Sequence, residues 1–165
     1  MLNQTIVFAL VIFLHDLFTA IWIGGLITLG LTVLPSVKKS LGKGPQTKKL
    51  MNAIQKRHGV FIYVSMAGLV LTGLLQANRS PAFQGLLNFG NTYSTLLAIK
   101  HILVVAMIAI ALYRSLVLGR KSGASTPSQE KLKASLLMVN IVLGIAILLL
   151  SGFTAALSSG IHLAS

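Results

Sequence analysis

The chain has 165 residues, of which 55% are hydrophobic and only 10% are charged, with fourteen Lys or Arg against two acids. An ordinary soluble domain carries charge on about a quarter of its residues, and a disordered chain has low hydrophobicity, so both classes are excluded. The net charge of +12 is concentrated in short segments between apolar runs, a pattern that indicates membrane topology and not a nucleic-acid partner.

Four apolar runs follow one another along the chain, and each is long enough to cross a bilayer as a helix, which takes about 20 residues. Because lipid offers the backbone no hydrogen bonds, continuous spans of this length are helical. We predict an all-α integral membrane four-helix bundle in the cell membrane, a single multi-pass domain over residues 1–165. The predicted helices cover residues 5–37, 59–77, 93–118 and 127–161.

Basic residues between the runs predict the orientation. The first connection carries seven Lys or Arg and the third carries five, against two for the second connection together with helix three. Loops 1 and 3 are therefore expected in the cytoplasm, facing anionic lipid headgroups, with both termini outside. In the first connection, Leu50, Met51 and Ile54 share one face. This segment is expected to be a short amphipathic helix on the inner membrane surface or a solvated basic loop.

Two local patterns concern helix four. The segment Thr126-Pro127-Ser128-Gln129 has the spacing of a capping box with Pro at the first helical position. Further along, Gly152, Ala156 and Gly160 recur at intervals of four residues. Small residues at this interval favour close helix packing in membranes, although scattered small residues are also common there.

Ionisable residues inside the spans fall together in depth. Counting about 1.5 Å per residue from the cytoplasmic ends places His15 and Asp16 of helix one near the outer boundary, with Lys100 and His101 of helix three at a similar depth. His162 lies at or beyond that boundary. Because ionisable residues are costly in lipid, they mark functional sites by default, and we predict an outer cluster.

Two interpretations of this cluster use different residues. Asp16 and Lys100 are opposite charges that would form a structural ion pair between helices one and three. Alternatively, His15, His101 and His162 form a metal site, since imidazole binds copper and zinc well. The chain has no cysteine, which excludes a thiolate site.

Soft ligands elsewhere extend the metal interpretation across the bilayer. Met107, Met66 and His58 lie progressively farther from the outer cluster and would form a sparse path for copper. The alternative for both methionines is ordinary packing of an apolar helix.

Haem is the third interpretation. Two imidazoles at one depth on different helices, here His15 and His101, suit the two axial positions of haem b in a helix bundle. Trp22 shares a helix face with His15, and Lys100 would hold a propionate. No carboxylate pair or Ser-His-acid arrangement is evident, so the sequence favours a non-enzymatic role without deciding the question.

Several short motifs keep one order over nearly the whole chain. They are His15 followed by Trp22-Ile23-Gly24-Gly25, then Lys56-Arg57-His58, Leu71-Thr72-Gly73, the run from Asn91 to Lys100, Lys133-Ala134-Ser135 and Ser151-Gly152. Together they resemble the copper-resistance protein D (CopD) domain of integral membrane proteins. Ser94 stands where that family usually has Gly, and Asn140 lies near the place of its usual acid.

The resemblance implies a four-helix membrane domain associated with copper uptake or handling. A more distant similarity to the HemJ-type haem-biosynthesis membrane family also covers His15 and Lys100. Our leading hypothesis is copper binding at an outward-facing site around His15 and His101, with transfer across the membrane. The alternatives are a b-type haem protein for redox chemistry and a ligand-free accessory subunit of a larger membrane complex. Expected partners are a copper donor, other membrane subunits or a second copy of the chain.

Overall fold

The computed structural model describes residues 2–42, 44–77, 85–118 and 126–158. All regular structure in these ranges is helical. The helices are α1 (Leu2–Leu41), α2 (Pro45–Ala77), α3 (Thr92–Val117) and α4 (Pro127–Ser158). All four are long and apolar enough to cross a membrane. The predicted all-α fold with four spans is therefore confirmed, and the chain is a multi-pass membrane protein.

Helix α2 is much longer than its apolar run. Its 33 residues extend about 50 Å at about 1.5 Å per residue, whereas the hydrocarbon core of a bilayer is about 30 Å thick. The basic segment with Leu50, Met51 and Ile54 is helical, but it is the first part of α2 and not a separate surface helix or a loop. The apolar part of α2 therefore continues directly into a basic extension.

The turn between α1 and α2 is built from Gly42 and Thr47. Gly42 has φ +65°, a positive value that glycine adopts without steric cost. The Thr47 hydroxyl is buried and donates a hydrogen bond to the Gly42 carbonyl at 3.0 Å. This bond satisfies a backbone acceptor at the end of α1 and ties the two helices together.

Side chains also cap the starts of α3 and α4. The Asn91 side-chain oxygen accepts from the Ser94 backbone N–H at 2.7 Å. At α4 the Thr126 hydroxyl accepts from the Gln129 N–H at 3.3 Å, while the Gln129 side chain accepts from the Thr126 N–H at 3.4 Å. This reciprocal pair is the predicted capping box, and it is confirmed.

The chain divides into two compact units, Met1–Gln76 and Ala77–Ser165. The first unit is the antiparallel hairpin of α1 and α2, whose contacts follow one register. In chain order along α1, the contacting pairs are Val11 with Gln76, His15 with Thr72, Phe18 with Gly68, and Gly25 with His58.

The second unit pairs α3 with α4. The face of α4 that carries Leu137, Asn140 and Ile141 is buried, and the Asn140 amide donates to the Met107 carbonyl at 3.4 Å. Gly152 and Ala156 lie on an exposed part of α4 and line an open apolar groove with four larger residues. The predicted small-residue face is thus open along these two positions, and Gly160 lies outside the described residues.

Candidate functional site

The His15 side chain lies in the first unit, where α1 meets the second half of α2. Its ring nitrogen Nδ1 is 2.9 Å from the hydroxyl oxygen of Thr72. Its Cε1 atom lies beside the backbone of Gly73, since a Cβ built there would be 3.6 Å away. The ring is therefore held against α2 by a hydrogen bond through Nδ1 and by close backbone packing.

His101 is held by its own helix in the second unit. Its Nδ1 atom is 2.7 Å from the Leu97 carbonyl oxygen, one turn earlier in α3. A carbonyl oxygen only accepts hydrogen bonds, so Nδ1 must carry the proton and donate it. In the neutral ring, the lone pair that can coordinate a metal is then on Nε2.

The two imidazoles thus share one feature: each uses Nδ1 for a hydrogen bond to the protein. Histidines that bind metals commonly donate one ring N–H to a protein acceptor, which fixes the orientation of the ring and makes the other nitrogen a better ligand. Copper accepts imidazole nitrogen. His15 and His101 therefore fit copper by the chemistry of their donors.

Helix α1 departs from α-helical geometry between His15 and its C-terminal end. It is π-helical over Ala20–Gly24 and Thr28–Val33, a rare geometry that is frequent at functional sites. Trp22 lies in the first π-helical segment and is 2% exposed. Its indole N–H is buried without a hydrogen-bond partner among the residues that the structure describes.

His58 packs against α1 at the far end of the hairpin from His15. Its ring lies on the backbone of Gly25, where a Cβ would come within 3.1 Å of Nε2 and still closer to Cε1. A cleft of about 230 Å³ opens beside it. The cleft is lined by Gly25, Thr28, Leu29, Val33, Ile54 and His58.

The predicted path residues and the predicted ion pair have different surroundings. Met66 and Met107 are both buried, at 7% and 0% exposure. Asp16 is exposed on α1 in the first unit, and Lys100 is partly exposed on α3 in the second unit. Their ion pair stays a prediction.

The remaining predicted ligand, His162, lies outside the described residues. Within residues 2–42, 44–77, 85–118 and 126–158, no three His, Asp or Glu side chains come together as a group that could hold a metal ion.

The sequence singles out both histidines, but it does not pair His15 with Thr72 or Gly25 with His58. Thr72 is 57 residues from His15, so the contact depends on the register of the α1–α2 hairpin. The usable signal is the turn at Gly42: folding the chain antiparallel there brings position 15 close to position 72.

Comparison with known protein families gives a match. The model of the family Copper resistance protein D matches residues 52–154, more than half of the chain. The match begins within α2 and runs through α3 and most of α4, so that it includes His101 but not His15. Comparisons with curated proteins and with solved structures found no match. The chain belongs to the copper resistance protein D family.

Proposed function

We propose that this membrane protein binds copper through the Nε2 atoms of His15 in α1 and His101 in α3. The observation that carries the proposal is that both rings bond to the protein through Nδ1. Both then coordinate through Nε2, while the hydrogen bond through Nδ1 orients the ring, as is common for metal-binding histidines. The family adds support, because its name refers to copper resistance.

The reduced ion, copper(I), is the proposed form. It carries a single charge, which lowers the cost of holding it near an apolar bilayer compared with a divalent ion. Imidazole and thioether groups are ligands that copper accepts, and copper(I) favours the softer thioether. The proposal extends to transfer across the membrane, with the buried thioethers of Met66 and Met107 as later ligands.

The test is a copper(I) competition titration of the purified protein in detergent against a chromogenic chelator. His15→Ala and His101→Ala are each expected to weaken binding, and the double variant is expected to lose saturable binding. All variants should remain in the membrane fraction and elute at the volume of the unmodified protein. A double variant that binds copper(I) as tightly as the unmodified protein would contradict the proposal.

Haem b is the second candidate, because two neutral imidazoles that coordinate through Nε2 also suit the axial positions of haem iron. The visible absorption spectrum separates the two ligands and should be recorded first, oxidised and then reduced. The copper proposal expects no Soret band. A Soret band with sharp reduced bands, lost in the His15→Ala/His101→Ala protein, would establish haem instead.

A further inference from the structure

The Thr72 hydroxyl has three neighbours that compete for one proton. Its oxygen is 2.7 Å from the Gly68 carbonyl, 3.4 Å from the Leu69 carbonyl and 2.9 Å from His15 Nδ1. Thr72 is 6% exposed, so the protein surroundings decide where the proton points. A hydroxyl donates once and accepts through its lone pairs, whereas a carbonyl only accepts.

These distances select one arrangement. If the hydroxyl donated to His15, its oxygen and the Gly68 carbonyl would face each other at 2.7 Å without a proton between them. If it donates to Gly68, both contacts become hydrogen bonds, and His15 must supply the proton to the Thr72 oxygen from Nδ1. In the second arrangement the Thr72 hydroxyl, the Gly68 carbonyl and His15 Nδ1 all take part in a hydrogen bond. Buried polar groups in an apolar interior are costly without one.

We propose that Thr72 is the positioning residue of the copper site: it holds His15 in the tautomer with the proton on Nδ1 and so makes Nε2 the coordinating atom. This inference rests on the proposed function for its metal and on the hydrogen bonds of Thr72 for its tautomer. His101 needs no such residue, because a backbone carbonyl of its own helix does the same.

The two histidines differ in the group that bonds to Nδ1, and an experiment can detect this difference. His101 is held by a carbonyl one turn away in α3, which no side-chain substitution removes. His15 depends on a hydroxyl of another helix, 57 residues away. Changing Thr72 should therefore alter the tautomer of His15 and leave that of His101 unchanged.

The test compares Thr72→Val, which keeps the shape and removes the hydroxyl, with Thr72→Ser, which keeps the hydroxyl. The matched control is Thr154→Val. Thr154 is 8% exposed and donates in the same way to the carbonyls of Leu150 and Ser151 of its own helix, both at 3.0 Å. General effects of replacing a buried threonine should therefore appear equally in the control.

Two readouts are measured on each protein. Nitrogen NMR of histidine-labelled, metal-free protein reports which ring nitrogen carries the proton. Copper(I) competition reports the affinity, which should fall about 10- to 100-fold in Thr72→Val, as is typical when the partner of a metal-binding histidine is lost. Thr72→Ser should restore both the tautomer and most of the affinity, and Thr154→Val should change neither.

The outcomes separate this inference from the proposed function. A Thr72→Val protein that keeps the His15 proton on Nδ1 would overturn the positioning role, whatever the copper affinity. An equal loss of affinity in Thr154→Val would overturn it as well, by attributing the effect to general destabilisation. If the unmodified protein has the expected tautomer but no affinity for copper, the proposed function fails while the link between Thr72 and His15 stands.

Discussion

Two neighbouring glycines in α1 should respond with opposite signs to the same substitution. Gly24 and Gly25 both have ordinary right-handed helical backbone angles, φ −61° with ψ −39° and φ −61° with ψ −43°. Alanine fits such a backbone, and replacing a helical glycine by alanine gains about 0.5–1 kcal/mol in the absence of new contacts. The backbone contribution is therefore the same at both positions.

The surroundings of the two positions differ. A Cβ at Gly24 would meet nothing within 4 Å, whereas a Cβ at Gly25 would press against the His58 ring, 3.1 Å from Nε2 and 3.5 Å from Nδ1. Forcing an extra carbon into a packed contact costs about 1–3 kcal/mol. We expect Gly24→Ala to be neutral or stabilising, and Gly25→Ala to be destabilising by about 1 kcal/mol, the middle of the range that remains after the backbone gain is subtracted.

The assay is thermal unfolding of each purified variant in one detergent, followed by helical circular dichroism. A double-variant cycle locates the cause: in a His58→Ala background, Gly25→Ala should lose its penalty, because the ring that it meets is gone. If both alanines shift the unfolding temperature in the same direction and by the same amount, the close contact between Gly25 and His58 does not limit the packing of α1 on α2. A penalty that persists without the His58 ring would refute the assigned cause.

Two further predictions concern α4: its packing on α3 and its first turn. Asn140→Leu should unfold no earlier than the unmodified protein in the same melting assay. The substitution removes a fully buried amide whose oxygen has no hydrogen-bond partner among the described residues. A marked drop in unfolding temperature would show instead that the amide stabilises the α3–α4 pair. Thr126→Ala should destabilise the start of α4 by about 1 kcal/mol through loss of the capping box. Amide hydrogen exchange in the first turn of α4 measures this loss, with Ser128→Ala as the control. Equal exchange in both variants would contradict the role of the cap.

The four spans and the cap of α4 could be predicted because their causes are local. A span follows from an apolar run, and the capping box depends on four consecutive residues from Thr126 to Gln129. The length of α2 could not be predicted in the same way. Its basic first part, rich in Lys and Gln, forms a helix by propensity. Hydropathy alone detects only the apolar part, which begins near residue 59.

The candidate site was predictable only in part. His15 and His101 stand out because ionisable residues are rare in the spans, and their approximate depth follows from counting residues. Their partners depend on geometry that the sequence does not express: the contact of His15 with Thr72 requires the register of the hairpin. The two π-helical segments of α1 change the rise and rotation locally, and no residue pattern in the chain announces them.

The hydrogen bond between His15 and Thr72 also bears on biogenesis. A chain is synthesised from its N-terminus, at about 5–20 residues per second, so α1 leaves the ribosome seconds before the position that accepts its imidazole proton. Gln76, whose side chain donates to the Val11 carbonyl at 3.5 Å, is made later still. The contacts of His15 with Thr72 and of Val11 with Gln76 therefore form only after the second span has been made. The hairpin, and not the single helix, is the smallest piece of this protein that can form these two contacts.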